Sequence, residues 1–163
     1  MTFQIHGLPR AAYADLIGLS DAELAARGAV RMTAETPHSF PCRVGLRDLE
    51  PGETAILLNH IHQPADTPFH ASHAIFVGER SSEADPGPGE VPEVMARRPL
   101  SIRAFDSDGM MIDADITDGA GAGGLIERLL ADDRAAYADI HYARRGCWAG
   151  RAVRPNQRPP RPA

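Results

Sequence analysis

The chain has 163 residues, which corresponds to one domain of ordinary size. Hydrophobic residues make up 43%, charged residues 24%, and two cysteines occur, so a disordered chain and a disulfide scaffold are excluded. The net charge is −5, and all 17 basic side chains are arginine, which excludes lysine Schiff-base chemistry and the P-loop lysine.

Neither a membrane span nor an export signal is visible in the sequence. The longest apolar run, around residues 55–58, is far below the roughly 18 residues that cross a bilayer. The first residues lack the basic and apolar segments of a signal peptide. We therefore expect no membrane partner and a cytoplasmic location, with Cys42 and Cys147 as free thiols.

The N-terminal half predicts short strands and helices separated by irregular segments. The capping box Ser20-x-x-Glu23 predicts a short helix that ends at Gly28, and the apolar spacing before it predicts another. Proline-rich residues 37–42 and the polar stretch 81–92 predict loops. Alternating apolar residues predict strands over 2–6, 29–33, 54–62 and 71–77.

The C-terminal half predicts a hairpin, an amphipathic helix and a closing pair of strands. These elements cover residues 100–105 with 110–116, then 124–136, then 139–143 with 147–153. We therefore predict an α+β fold, a single domain over residues 1–154 that is mainly antiparallel sheet with two or three peripheral helices. Residues 155–163, rich in proline and arginine, predict a disordered tail.

Charge is segregated along the chain. Residues 144–163 carry six arginines and no acidic residue, whereas residues 1–143 carry 11 arginines and 22 acidic residues. A basic tail can bind nucleic acid, but no aromatic residues alternate with these arginines as base stacking requires. We expect instead a terminal strand that lies against an acidic sheet, and no nucleic-acid partner.

Two motifs match ligand sites only weakly. Residues 119–124 satisfy the dinucleotide pattern G-x-G-x-x-G, but the strand before them places Asp113 and Asp115 on one face, unlike the apolar strand of a Rossmann fold. The aspartates between residues 106 and 118 lack the spacing of a calcium loop. We interpret the glycines as a flexible loop and the aspartates as a solvated hairpin face.

Histidines concentrate in one stretch, where four of the seven lie within residues 59–73. On a strand, His60 and His62 project from one face, and His73 opens the next strand after a loop that carries Asp66. Imidazoles in this arrangement could bind a divalent metal such as zinc, with His60, His62 and His73 as ligands. The alternative is that they are strand-end residues whose hydrogen bonds go to backbone and water.

Cys42 is a candidate nucleophile because Arg43 follows it directly. A neighbouring guanidinium favours the thiolate, and a nearby histidine could act as its base. The alternative is that Cys42 and Cys147 are small buried apolar residues, as free cysteines often are.

Several motifs recur together in one known family. They are Pro41-Cys42-Arg43, Leu46-Arg47-Asp48, Glu50-Pro51-Gly52-Glu53, His62 to Pro68, Ser72 to Val77, Gly146-Cys147, and Arg151 with Arg154. With them, residues 2–154 resemble the bacterial family known as domain of unknown function 1203. That family has no established activity. The resemblance therefore indicates which positions are typical of the family, but it does not indicate a reaction. The typical positions are Cys42, Arg43, Pro64, Asp66, Pro68, Cys147 and Arg151, whereas His60 and His70 depart from the pattern.

Two functions remain open at this stage. The first is a small enzyme or ligand-binding domain whose pocket contains Cys42, Arg43, His62, Asp66 and His73. Its arginine would hold an anionic small molecule and its histidine would move a proton. The second is a noncatalytic domain whose loops bind a protein partner.

Overall fold

The structure is a computed structural model that describes residues 2–155 and 157. Most of the predicted tail therefore lies outside the described residues. No helix in the described ranges is long and apolar enough to cross a membrane. The strands are β1 Gln4–His6, β2 Val30–Thr33, β3 Pro41–Cys42, β4 Arg47–Asp48, β5 Thr54–Gln63, β6 Ala71–Gly78, β7 Leu100–Phe105, β8 Met111–Thr117, β9 Tyr137–Tyr142 and β10 Trp148–Val153. The helices are α1 Asp21–Ala26, α2 Glu93–Ala96 and α3 Ala122–Leu130, with 3-10 turns at Arg10–Tyr13 and Gly119–Gly121.

These strands form two five-stranded sheets. The first has the order β1-β10-β9-β7-β8 and the second the order β2-β5-β6-β3-β4. Neighbouring strands pair antiparallel, except that β3 runs parallel to β6. The predicted α+β fold, mainly antiparallel with short peripheral helices, is confirmed.

The first sheet is covered on both faces, which is why every residue of β9 is buried. Ala138 and Ile140 pack with Ile126 of α3 in one apolar core. Because side chains alternate along a strand, Asp139 and His141 project from the opposite face, toward the second sheet. The polar residues of β9 are thus enclosed between the two sheets.

A bulge in β5 directs two successive residues of the second sheet toward the first. The register with β6 shifts between Ile61 and Gln63, so β5 carries one extra residue there. His62 and Gln63 are consequently both buried and both contact the first sheet. Gln63 donates to the Tyr137 hydroxyl at 2.6 Å, and the His62 carbonyl accepts from Arg151 at 2.9 Å.

Helix α3 ends at Leu130, six residues before the predicted end at residue 136. The Arg154 guanidinium explains the early end, because it donates to the carbonyl oxygens of Leu130, Asp132 and Ala135. These bonds satisfy carbonyl groups at and just beyond the end of the helix, which would otherwise lack partners. A charged residue at the far end of the chain therefore sets the length of this helix.

The glycine motif is not the flexible loop expected from the sequence. Gly119 lies buried in a 3-10 turn against the backbone of α2, and the last glycines of the motif form the first turn of α3. The aspartates do form the expected exposed face, since Asp113 and Asp115 both pair with the half-exposed Arg128.

Candidate metal centre

Three ligand-type side chains meet between the two sheets. His62 comes from β5, and Asp139 and His141 come from β9. One potential ligand atom from each lies within 4.8 Å of the other two. The three residues are 7%, 0% and 1% exposed, so the cluster is enclosed by protein.

The His141 ring is oriented by a backbone hydrogen bond. Its Nδ1 lies 3.0 Å from the Gly146 carbonyl oxygen, which can only accept, so Nδ1 carries the proton. The Nε2 lone pair is then free, and within the described residues this buried atom has no hydrogen-bond partner. The ring meets that of His62 edge to face, with centroids 4.9 Å apart.

The Asp139 carboxylate is fixed by donors from β10. Trp148 Nε1 donates to Oδ1 at 3.0 Å, while Arg151 donates to Oδ1 at 2.7 Å and to Oδ2 at 2.9 Å. His62 Nδ1 lies 3.8 Å from Oδ2, beyond hydrogen-bond distance. Within the described part of the chain that buried nitrogen is also without a partner.

Burial and hydrogen bonding together set the charge of the centre. It lowers the pKa of His141 to about 4, with the positive charge of Arg103 acting in the same direction. Burial alone would raise the pKa of Asp139, but the hydrogen bonds and charge of Arg151, together with the hydrogen bond from Trp148, hold it below its usual value. At neutral pH the centre therefore holds a neutral imidazole beside an ionised carboxylate.

Of the predicted ligands His60, His62 and His73, only His62 belongs to this cluster. His60 is buried elsewhere, with Nδ1 hydrogen-bonded to the Tyr13 hydroxyl at 3.0 Å, and burial lowers its pKa to about 4. His73 is partly exposed, and its Nδ1 lies 3.2 Å from the carbonyl oxygen of Ala74. The other two ligand-type groups of this cluster come from β9.

Cys42 and Arg43, two residues of the predicted pocket, point to opposite faces of the second sheet. Cys42 pairs side by side with Phe76, so both project from one face of the second sheet, whereas Arg43 projects from the other. The Cys42 sulfur is in contact with Ser81 Oγ at 3.4 Å and accepts from backbone N–H groups of Gly78 and Gly45. No imidazole is among these contacts in the described residues, and a catalytic role of Cys42 stays a prediction from the sequence.

Two further residues of the predicted pocket differ in exposure. Asp66 is exposed in the loop between β5 and β6. Arg43 is buried and its guanidinium contacts Cys147, which is a free thiol like Cys42, as predicted.

Sequence reasoning did not identify Asp139 and His141 as site residues. A signal was present, because Asp139-Ile-His141 places two polar side chains on one face of an otherwise apolar strand. Arg151, on the strand predicted to pair with it, offered the opposite charge. What the pattern could not show is that His62 approaches from the other sheet.

Comparison with known proteins identifies one family. The sequence model of the family described as a protein of unknown function (DUF1203) matches residues 39–154. Neither a curated protein nor a solved structure matches the chain.

Proposed function

The chain belongs to the DUF1203 family, whose description names no function, and from the geometry of the buried centre we propose that it is a metal-binding domain. It holds one divalent transition-metal ion, for which zinc is the best match, at His62, Asp139 and His141. One observation carries this proposal. One ligand-type atom of each of the buried residues His62, Asp139 and His141 lies within 4.8 Å of the other two, and in the described residues each imidazole has one buried nitrogen without a hydrogen-bond partner.

The spacing of the ligand atoms suits a small ion. With metal–ligand distances of about 2.0–2.2 Å, two ligands of a tetrahedral zinc ion lie roughly 3.4 Å apart. The distance from His62 Nδ1 to Asp139 Oδ2 is 3.8 Å, slightly above that value. A small rotation of the His62 ring would close the difference.

The surroundings of the ligands support the same assignment. Metal-bound histidines usually donate their second ring nitrogen to a backbone carbonyl or carboxylate, as His141 does to Gly146. Ligating carboxylates are likewise held by donors, which Arg151 and Trp148 provide for Asp139. Two imidazoles and one carboxylate favour zinc over magnesium or calcium, which prefer oxygen ligands alone.

The position of the centre suggests a structural role for the metal. His62 belongs to one sheet and the other two ligands belong to the next, so a bound ion would link the sheets. Such an ion stabilises the folded chain by its binding free energy, because the unfolded chain holds no preformed site. The anionic small-molecule ligand and the cytoplasmic location stay predictions from the sequence.

Cobalt(II) tests the proposed site directly. We expect untagged protein to bind one equivalent of cobalt with the visible absorption typical of a four-coordinate ion, and zinc to abolish that absorption. Replacing a ligand, in His62→Ala or His141→Ala, should weaken cobalt binding by at least about 100-fold. Even the loss of a residue that only hydrogen-bonds to a metal ligand lowers metal affinity by about 10–100-fold. His70→Ala is the matched control, because His70 is an exposed histidine of the same segment and should leave the titration unchanged.

The opposite outcome would support a purely polar network, as expected of a noncatalytic interaction domain. In that case cobalt would keep the spectrum of the hydrated ion at every ratio. Equal titrations of the wild type, the ligand variants and His70→Ala would also refute the site.

A further inference from the structure

Arg43 is a buried cation that forms no ion pair with a carboxylate in the described part of the chain. The residue is 1% exposed, and no Asp or Glu of the described residues forms an ion pair with it. Its guanidinium donates to the carbonyl oxygens of Trp148, at 2.8 Å, and Pro41. The third acceptor is the sulfur of Cys147, which lies 3.0 Å from Nη2.

The Cys147 sulfur is the only one of these acceptors that can take on a full negative charge. A buried charge without an opposite charge is costly, so negative charge on the sulfur would be stabilised by Arg43. A guanidinium in contact with a thiol is the setting in which cysteines become nucleophilic.

A second buried polar group, the hydroxyl of Tyr142, lies near Arg43 and Cys147. The Tyr142 hydroxyl is buried and has no hydrogen-bond partner within the described residues. Two guanidinium groups contact its ring, with Arg43 5.1 Å and Arg98 5.3 Å from the centroid. The ring that carries this unpaired hydroxyl therefore lies against the same guanidinium that contacts the Cys147 sulfur.

We propose that Cys147 is a redox-active thiol that is oxidised by hydroperoxides, with Arg43 stabilising the charge on the attacking sulfur. The sulfur attacks one peroxide oxygen, an S–O bond forms and the O–O bond breaks. The departing oxygen leaves as an alcohol, or as water from hydrogen peroxide, with the proton given up by the thiol. Sulfur is oxidised by two electrons to a sulfenic acid, and the peroxide is reduced by the same two electrons.

The second cysteine provides an internal control. Cys42 is 1% exposed against 8% for Cys147, and its contacts are backbone N–H groups and the Ser81 hydroxyl. Neither of these is a cation. Both thiols can be measured in one chain, and neither belongs to the proposed metal centre.

The test compares the two thiols in the folded protein. Wild-type protein is treated with hydrogen peroxide and dimedone, with a chelator present so that the result does not depend on the metal. Mass spectrometry then gives the rate of sulfenic acid trapping at each cysteine. We expect Cys147 to react at least about tenfold faster than Cys42, the effect of one hydrogen bond to a charged group. We also expect Cys147 to react no more slowly than in urea-unfolded chain.

A variant isolates the contribution of the guanidinium. Arg43→Met removes the charge and keeps much of the side-chain volume, and we expect it to slow the oxidation of Cys147 by about tenfold or more. The wild-type comparison is decisive even where this variant does not fold. Oxidation of Cys147 at or below the rate of Cys42 in the folded wild type would overturn the proposal, and so would an unchanged rate in folded Arg43→Met.

Discussion

Replacing Asp139 by alanine should destabilise the domain by about 3–5 kcal/mol, the usual cost of removing one partner of a buried ion pair. Asp139 is 0% exposed and accepts three hydrogen bonds. Its removal would leave Arg151 buried without an anion and the Trp148 indole nitrogen without an acceptor. Urea unfolding, followed by circular dichroism in the presence of a chelator, would measure the loss without any contribution from metal.

The matched control is Asp113→Ala, which breaks a half-exposed pair with Arg128. Exposed pairs contribute about 0–1 kcal/mol, so this variant should unfold close to the wild type. Adding Arg151→Met to the Asp139→Ala variant removes the buried charge that has lost its partner, so the double variant should recover part of the stability. If Asp139→Ala lowers the free energy of unfolding no more than Asp113→Ala does, the buried Asp139–Arg151 pair does not stabilise the packing of the two sheets.

Gly119→Ala should destabilise the domain by about 3 kcal/mol or more, at the upper end of what overpacking costs. A Cβ atom at this position would lie less than 3 Å from the carbonyl oxygens of Met95 and Ala96. Both atoms belong to the backbone of α2, so the clash cannot be relieved by a side-chain rotation. The midpoint of urea unfolding would measure the effect.

Gly124→Ala is the control within the same motif. It lies exposed in α3 and a Cβ atom there would meet nothing within 4 Å. Because alanine favours the helix, we expect this variant to gain about 0.5–1 kcal/mol. Equal effects of the two substitutions would refute the conclusion that close packing of the turn requires Gly119.

The local features of the fold could be predicted because their causes lie within a few residues. The capping box of α1 forms as expected, with the Ser20 and Glu23 side chains each bonded to the other's backbone N–H. The hairpin of β7 and β8 follows from alternating residues around a turn at Asp106–Gly109. Such signals depend on backbone geometry that neighbouring residues alone determine.

The candidate site could not be predicted in the same way, because its parts come from distant strands. His62 was identified from its segment, but its inward position beside Gln63 depends on a bulge that alternation does not reveal. Cys42 and Arg43 are adjacent in sequence, yet strand geometry sends them to opposite faces of a sheet. The end of α3 likewise depends on Arg154, whose side chain reaches back over more than twenty residues to Leu130.

The metal content of the protein as purified shows whether His62, Asp139 and His141 hold an ion. Wild-type protein without an affinity tag, expressed in zinc-supplemented medium, would be analysed by inductively coupled plasma mass spectrometry, together with the variants His62→Ala and Asp139→Asn. We expect close to one zinc or related ion per chain in the wild type and only traces in both variants, with folding verified by circular dichroism. A folded wild type that carries only trace metal, or variants that retain as much as the wild type, would contradict this expectation.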